Sequence, residues 1–245
     1  LALIAGHEAM RDAGLSATLP ADRERFGVYV GVGIGGLPSI ADAVTTCREK
    51  SLKHLSPLTI PKLISNLAPA WLAMQFNLQG PVAAITNACA SGTDAIGLAF
   101  RLIRDGYADY MLVGGAEACI TPVSIAGFGN MRALSPWAGD PTQASRPFDR
   151  QRNGFVMAEG AGMLVLERAD YAHVRGARVY AEVVGYGAAA DAYHVTAMHP
   201  EARGAVQAME RALADGNVDR ASVGYINAHG TSTQMNDVLE TEAIK

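Results

Sequence analysis

Residues 82–92 read Val-Ala-Ala-Ile-Thr-Asn-Ala-Cys-Ala-Ser-Gly. The apolar run 82–86 predicts a short strand, and helical spacing follows from Ala90 to Asp105. Ile96, Leu98, Ala99, Leu102 and Ile103 form the apolar set of that helix, and Gly106 ends it. Strand, tight turn and helix form the unit of an α/β sheet. Cys89 falls at or beside the helix N-terminus, where partial positive charge favours a thiolate over a thiol. Ala88 and Ala90 leave room for a thioester, and the N–H groups of the turn could serve an oxyanion. A cysteine in such a place is either reactive or simply buried and structural. The segment alone leaves both readings open.

Working outward, Phe26–Val32, Tyr110–Gly114, Gly162–Glu167, Val179–Gly187 and Val223–Asn227 also read as strands. Helical stretches are expected at Leu1–Gly14, Leu37–Lys50, Ile60–Asn77 (broken near Pro69), Tyr171–Arg175, Gly204–Asp215 and from Asp237 onward. Strands alternating with helices predict an α/β protein with both sheet faces covered. Thr121–Asn153 is rich in Gly, Pro and Ser, too long for a simple connector, and is expected to be a loop region covering a site or an interface. Both ends of the chain read as cut within structure. A coarse duplication is visible: a strand runs into a polar turn at Thr86–Cys89 and again at Asn227–His229.

The second junction reads Asn227-Ala228-His229-Gly230-Thr231-Ser232-Thr233. Strand ends in α/β proteins face the ligand crevice. There an imidazole can donate to a developing enolate, while Thr231 and Thr233 can hold a flexible polar arm. A lone histidine is more often satisfied in the core, and Thr-Ser-Thr also suits a helix cap.

Composition sets the bounds. At 245 residues the chain is large for one domain and small for two. It is 49% hydrophobic and 18% charged, which suits a large core and excludes disorder. A net charge of −4 without a basic run gives no general attraction to nucleic acid. The three cysteines, Cys47, Cys89 and Cys119, are odd in number and widely spaced, so neither a disulfide framework nor a zinc site is expected. A reduced, cytoplasmic setting follows. No apolar run is long enough to span a membrane. Gly31, Gly33 and Gly36 satisfy the dinucleotide pattern, but Leu37-Pro38 follows at once and the site chemistry lies elsewhere, so that reading is set aside.

Taken together, the motifs resemble the elongating β-ketoacyl-acyl-carrier-protein synthases of type II fatty-acid synthesis. The matching pieces are GVGIGG at 31–36, NACASG at 87–92, GGAEA at 114–118, FGNMRALS at 128–135, SRPFD at 145–149, GFVMAEGAGMLVLE at 154–167, DAYH at 191–194 and NAHGTST at 227–233. They run through the whole chain, and the interval from Cys89 to His229 fits the family.

The resemblance implies an α/β, thiolase-like fold: a layered αβαβα arrangement of two related halves, here truncated at both ends. It places the N-terminal half, lacking its first strand, at 1–177 and the start of the C-terminal half at 178–245. It implies decarboxylating Claisen condensation. An acyl group moves from the phosphopantetheine of acyl carrier protein to Cys89, and malonyl carrier protein then loses carbon dioxide. Its enolate attacks the Cys89 thioester, giving a 3-oxoacyl product. No bound cofactor and no metal are implied. His229 matches the first of the family's two catalytic histidines. The second histidine, the catalytic lysine and the gating phenylalanine loop lie downstream of that motif. Lys245 comes too soon to be that lysine, and the chain alone is expected to be poorly active or inactive in condensation.

By the same resemblance Ile34 gates the acyl pocket, and Phe128 with Thr231 and Thr233 lines the pantetheine path. Lys53 and Arg132 dock the carrier, with His54 beside Lys53. Asp237 and Glu240 support the site from behind, although a solvated helix face explains them nearly as well. His194 is expected on a loop near the entrance. Cys47 and Cys119 read as structural, and His7, His173 and His199 as solvent or packing residues. Complete family members are homodimers, and segment 82–86 would extend the sheet across that interface. Partners of other kinds, nucleic acid or membrane, are not expected. The rivals are other thiolase-fold enzymes, a ketosynthase of a polyketide pathway, a chain-length factor or other carrier-binding module without catalysis, and a cysteine hydrolase. NAHGTST, the compact FGNMR and DAYH loops, the presence of Cys89 and the absence of a triad partner argue against them in turn.

Overall fold

The computed structural model describes residues 1–245. Its elements are α1 (Ala2–Asp12), β1 (Phe26–Gly31), α2 (Leu37–Glu49), α3 (Thr59–Leu63), α4 (Leu67–Phe76), β2 (Val82–Ile85), α5 (Ser91–Arg104), β3 (Tyr110–Glu117), α6 (Pro122–Asn130), β4 (Gly160–Glu167), α7 (Ala169–Val174), α8 (Arg203–Asp215) and α9 (Gln234–Ile244), with single 3₁₀ turns at 52–54, 141–143 and 220–222. The chain forms two compact units. The first holds Leu1–Thr121 and Ala158–Val183, the second Pro122–Met157 and Val184–Lys245. No helix is long and apolar enough to cross a membrane.

The first unit is built on a four-stranded sheet in the order β2-β1-β3-β4. β1 runs parallel to β2 and β3, and β4 is antiparallel to β3. The period-2 pattern sorts the side chains. Phe26, Val28, Val30, Tyr110 and Leu112 face one side, where Met10 of α1 and Leu72 and Phe76 of α4 meet them. Met111 and Val113 face the other, against Ala99, Ile96 and Ile103 of α5. Both faces of β1 and β3 are therefore covered, which is why these strands read as continuous apolar runs. α5 ends in a Schellman turn: Gly106 at φ +79° lets Tyr107 N–H reach the Leu102 carbonyl at 2.8 Å. At the start of β3, Asp109 is buried and accepts from Arg25 and, at 3.1 Å, from Arg168. The hydrogen bond from Arg25 holds its carboxyl below the usual carboxylate range, against the opposing effect of burial.

Three sequence expectations change. The break in the Ile60–Asn77 helix lies at Ile64–Asn66, and Pro69 sits in the first turn of α4, where a missing N–H costs nothing. Within the expected loop region, Pro122 opens the nine-residue helix α6. Its two glycines lowered the apparent propensity, but proline at the first position pre-sets φ. Val179–Gly187 and Val223–Asn227 are not strands in this chain. Their apolar patterns are strand-like, yet a strand exists only with a ladder partner, and neither segment has one here. Gly185 and Gly187 instead lie flush on α8. A Cβ on either would come within 2.3 Å of the Ala212 or Ala208 carbonyl.

Candidate active site

In the first unit, Cys89 is exposed, two residues before α5 begins. Three features build its turn. Ala88 takes a left-handed φ of +45°, uncommon for a residue with a Cβ. The buried Ser91 hydroxyl accepts from Asn87 N–H at 2.8 Å and donates to the Ala88 carbonyl at 2.6 Å, straddling the strained residue. Asn87 Nδ2 donates to Asp94 Oδ2 at 2.5 Å, tying the turn to the first turn of the helix. Ala90 N–H and Ser91 N–H close on the Asn87 and Ala88 carbonyls, so these two are committed within the turn and are not oxyanion donors.

Glycines bring this turn onto the sheet. A Cβ on Gly31, at the end of β1, would lie 2.4 Å from the Gly92 nitrogen and from the Ser91 carbonyl carbon and oxygen. A Cβ on Gly115 of β3 would lie 3.5 Å from the Gly92 Cα. Three separate glycine-bearing motifs thus converge on the start of α5. A Cβ on Gly33 would meet the Ala88 carbonyl oxygen and Glu117 Oε2, each at 3.2 Å. Glu117 ends β3 and accepts from Ile34 N–H at 2.7 Å and Gly35 N–H at 3.2 Å. Ile34 itself is 43% exposed. Cys119 is buried, and that burial pushes its thiol up, with Glu117 and Glu159 adding to the effect. Cys47 is half-buried on α2.

In the second unit, His229 is exposed and its turn is held from two sides. Glu240 of α9 accepts from His229 N–H at 2.6 Å and from Gly230 N–H at 2.9 Å. Asp237, 2% exposed, accepts from Ser232 N–H and, at 2.7 Å, from Phe148 N–H. Ser232 and Phe148 are both left-handed, at φ +67° and +64°, so one carboxylate holds two strained residues in place. Arg152 pairs with Asp237 at 3.3 Å and donates to the Thr233 and Gln234 carbonyls at 3.0 and 2.9 Å. Thr233 caps α9, its hydroxyl accepting from Asn236 N–H, and shares a 2.9 Å hydrogen bond with Thr231. Phe128 stacks edge-on against Phe155. Arg132 is exposed and occupies, at φ +55°, the left-handed closing position of α6 that glycine usually fills.

With this geometry established, comparison with known proteins gives the family. A model described as the N-terminal domain of beta-ketoacyl synthase matches residues 1–172, and its C-terminal counterpart matches 180–245. The chain belongs to the β-ketoacyl synthase family. It is 48% identical to 3-oxoacyl-[acyl-carrier-protein] synthase 2 of Synechocystis sp., covering all of this chain and 58% of that protein. The mitochondrial 3-oxoacyl-[acyl-carrier-protein] synthase of Arabidopsis thaliana is 45% identical, and 53% of it is covered. Among solved structures, a type II polyketide ketosynthase in complex with its acyl-carrier protein superposes with a TM-score of 0.94 at 35% identity, covering all of this chain and 61% of that one. A beta-ketoacyl synthase of Burkholderia phymatum superposes at 0.92, also at 35% identity, covering 99% of this chain and 59% of that one. The fold is therefore that of the thiolase-like ketosynthases. This β-ketoacyl synthase chain spans between 53 and 61% of the relatives named here.

The structure gathers the expected residues of the β-ketoacyl synthase site in two groups. Cys89 and Ile34 lie at the C-terminal ends of parallel strands in the first unit, and Lys53 lies in that unit's 52–54 turn. His229, Thr231, Thr233, Asp237, Glu240, Phe128 and Arg132 belong to the second. Two supporting residues escaped the sequence. Glu117 is one acidic residue in a strand, and the groups it holds lie 82 and 83 positions away. Arg152 follows the SRPFD motif and bonds carbonyls 81 and 82 positions on. The only clue to either was its place inside or beside a matched motif.

Proposed function

We propose that this protein performs the acyl-accepting and condensing chemistry of a 3-oxoacyl-acyl-carrier-protein synthase. The observation that carries the reading is Cys89. It is exposed on a strained strand-to-helix turn, and the contacts of Gly31, Gly92 and Gly115 fix that turn at the strand ends. The Cys89 sulfur attacks an acyl thioester of carrier-bound phosphopantetheine. The acyl–sulfur bond to the carrier breaks, and the carrier leaves as its thiol. Malonyl carrier protein then loses carbon dioxide, and its enolate carbon attacks the Cys89 thioester. The product is a 3-oxoacyl carrier protein, and Cys89 is returned. In the enolate, charge develops on the thioester oxygen, and the His229 imidazole donates a hydrogen bond to it. Glu240 positions that imidazole by gripping the backbone of His229 and Gly230. No resident metal or cofactor takes part.

The chain spans only part of its relatives' length, so condensation is proposed of the whole protein. Acylation of Cys89 is the step to test on these residues. In the same reading Lys53 and Arg132 meet the acyl carrier protein, and Phe128, Thr231 and Thr233 hold the pantetheine arm. The enzyme works as a cytoplasmic homodimer. β2 is supported as the meeting edge because it ends the sheet and its Val82 is 42% exposed. A polyketide pathway is the second reading, favoured by the superposition on a polyketide ketosynthase. The higher identity to 3-oxoacyl-[acyl-carrier-protein] synthase 2 favours fatty-acid elongation. Cerulenin tests the assignment. It is expected to add one equivalent at Cys89 and none in Cys89→Ala, and an adduct on Cys47 or Cys119 instead would sink the reading.

A further inference from the structure

Glu117 has no role in the chemistry above, yet it is placed to control the acyl group. Its two carboxylate oxygens each accept one backbone N–H of a single tight loop, Ile34 on Oε2 and Gly35 on Oε1. Gly35 is left-handed at φ +79°, a conformation glycine adopts without strain, so the loop turns tightly here and presents both N–H groups to the one carboxylate. The preceding residue, Gly33, packs against the Ala88 carbonyl, one residue before Cys89, with Glu117 Oε2 beside the same point. The loop bearing the exposed Ile34 side chain is therefore referenced to the nucleophile turn through one carboxylate at the end of β3.

We propose that Glu117 is a specificity-determining positioning residue: by holding the Ile34 and Gly35 N–H groups it sets where Ile34 stands relative to the Cys89 turn, and hence which acyl lengths Cys89 accepts. This rests on the reading of Cys89 as acyl acceptor and of Ile34 as the side chain the acyl group meets. A carboxylate is required because both N–H groups point at acceptors. The amide of Glu117→Gln offers one acceptor and sets a donor against the other N–H. Glu117→Asp keeps the charge but is one methylene too short to reach both.

The test uses the 245-residue chain with acyl-pantetheine thioesters from hexanoyl to hexadecanoyl, with Cys89 acylation followed by intact mass. The wild type is expected to show a preferred length. Ile34→Ala and Glu117→Gln should both flatten that preference, by at least threefold in the ratio of best to worst length. Alkylation of Cys89 by iodoacetamide should stay within twofold of wild type in Glu117→Gln, showing an intact nucleophile turn. If Glu117→Gln does not fold, Glu117→Asp should give the same flattening. A flattened profile in Ile34→Ala with an unchanged one in Glu117→Gln or Glu117→Asp overturns the role of Glu117 while leaving Ile34 as the gate. A wild type without length preference, or an Ile34→Ala profile like wild type, overturns the proposal along with the reading of Ile34. No acylation of Cys89 by any thioester overturns the underlying reading of the nucleophile.

Discussion

Replacing Gly31 by alanine places one methyl group where the start of α5 now lies. The added Cβ would be 2.4 Å from the Gly92 nitrogen and from the Ser91 carbonyl group, all of them backbone atoms. Ordinary contact needs about 3.5 Å, so helix and strand must part by about 1 Å. No side chain can rotate to absorb this. Gly31 is bonded in register to both Ile85 and Gly115, so the strand cannot yield either. Overpacking of this kind costs about 1–3 kcal/mol, which for a chain this size lowers Tm by roughly 2–12 °C. The shift is delivered to the residues that follow Cys89. A misplacement of about 1 Å in reacting groups can cost ~10²-fold in rate, so acyl transfer to Cys89 should fall toward that factor. Iodoacetamide, small and unguided, should alkylate Cys89 within a few-fold of wild type. Thermal melts and time-resolved mass spectrometry measure both effects. A Gly31→Ala protein with wild-type Tm and wild-type acyl transfer would refute the claim that these glycines set the nucleophile's position.

Two further predictions concern the charged groups. Arg152→Met leaves the Asp237 side chain, 1% exposed, without its cation, and should cost roughly 3–5 kcal/mol in denaturant unfolding. Asp109 has a lowered folded-state carboxyl range, so its contribution is complete above the unfolded value of about 4 and is lost as pH falls through the folded one. The stability gap between wild type and Asp109→Asn, about 1–3 kcal/mol at neutral pH, should therefore narrow below pH ~4. A gap that stays constant through an acid series of urea melts would contradict the pairing with Arg25 and Arg168.

How much of this was legible beforehand follows from where each signal lies. β1, β3 and α5 were readable because burial on both sheet faces writes a continuous apolar run, and a one-sided helix writes a 3.6 period. The turn that carries Cys89 was readable because an apolar strand runs there into small polar residues and then a helix. Val179–Gly187 and Val223–Asn227 carry the same local signal without the ladder, and pairing is a property of neighbours, not of the segment. α6 was hidden by composition: two glycines and a proline argue for loop unless the proline is seen as a first-turn residue. Glu117 and Arg152 were invisible for the opposite reason. Each acts on backbone N–H or carbonyl groups about 80 positions away, and backbone groups leave no trace in residue identity.

The central claim is that Cys89 accepts an acyl group from a carrier's phosphopantetheine. The direct measurement is to mix the chain with acyl-acyl carrier protein, digest, and read the mass of the peptide containing residue 89. One acyl group is expected in thioester linkage on Cys89, removed by hydroxylamine and absent in Cys89→Ala. An acyl group found on Cys47, Cys119 or a serine, or a Cys89→Ala chain acylated as fast as wild type, would contradict it.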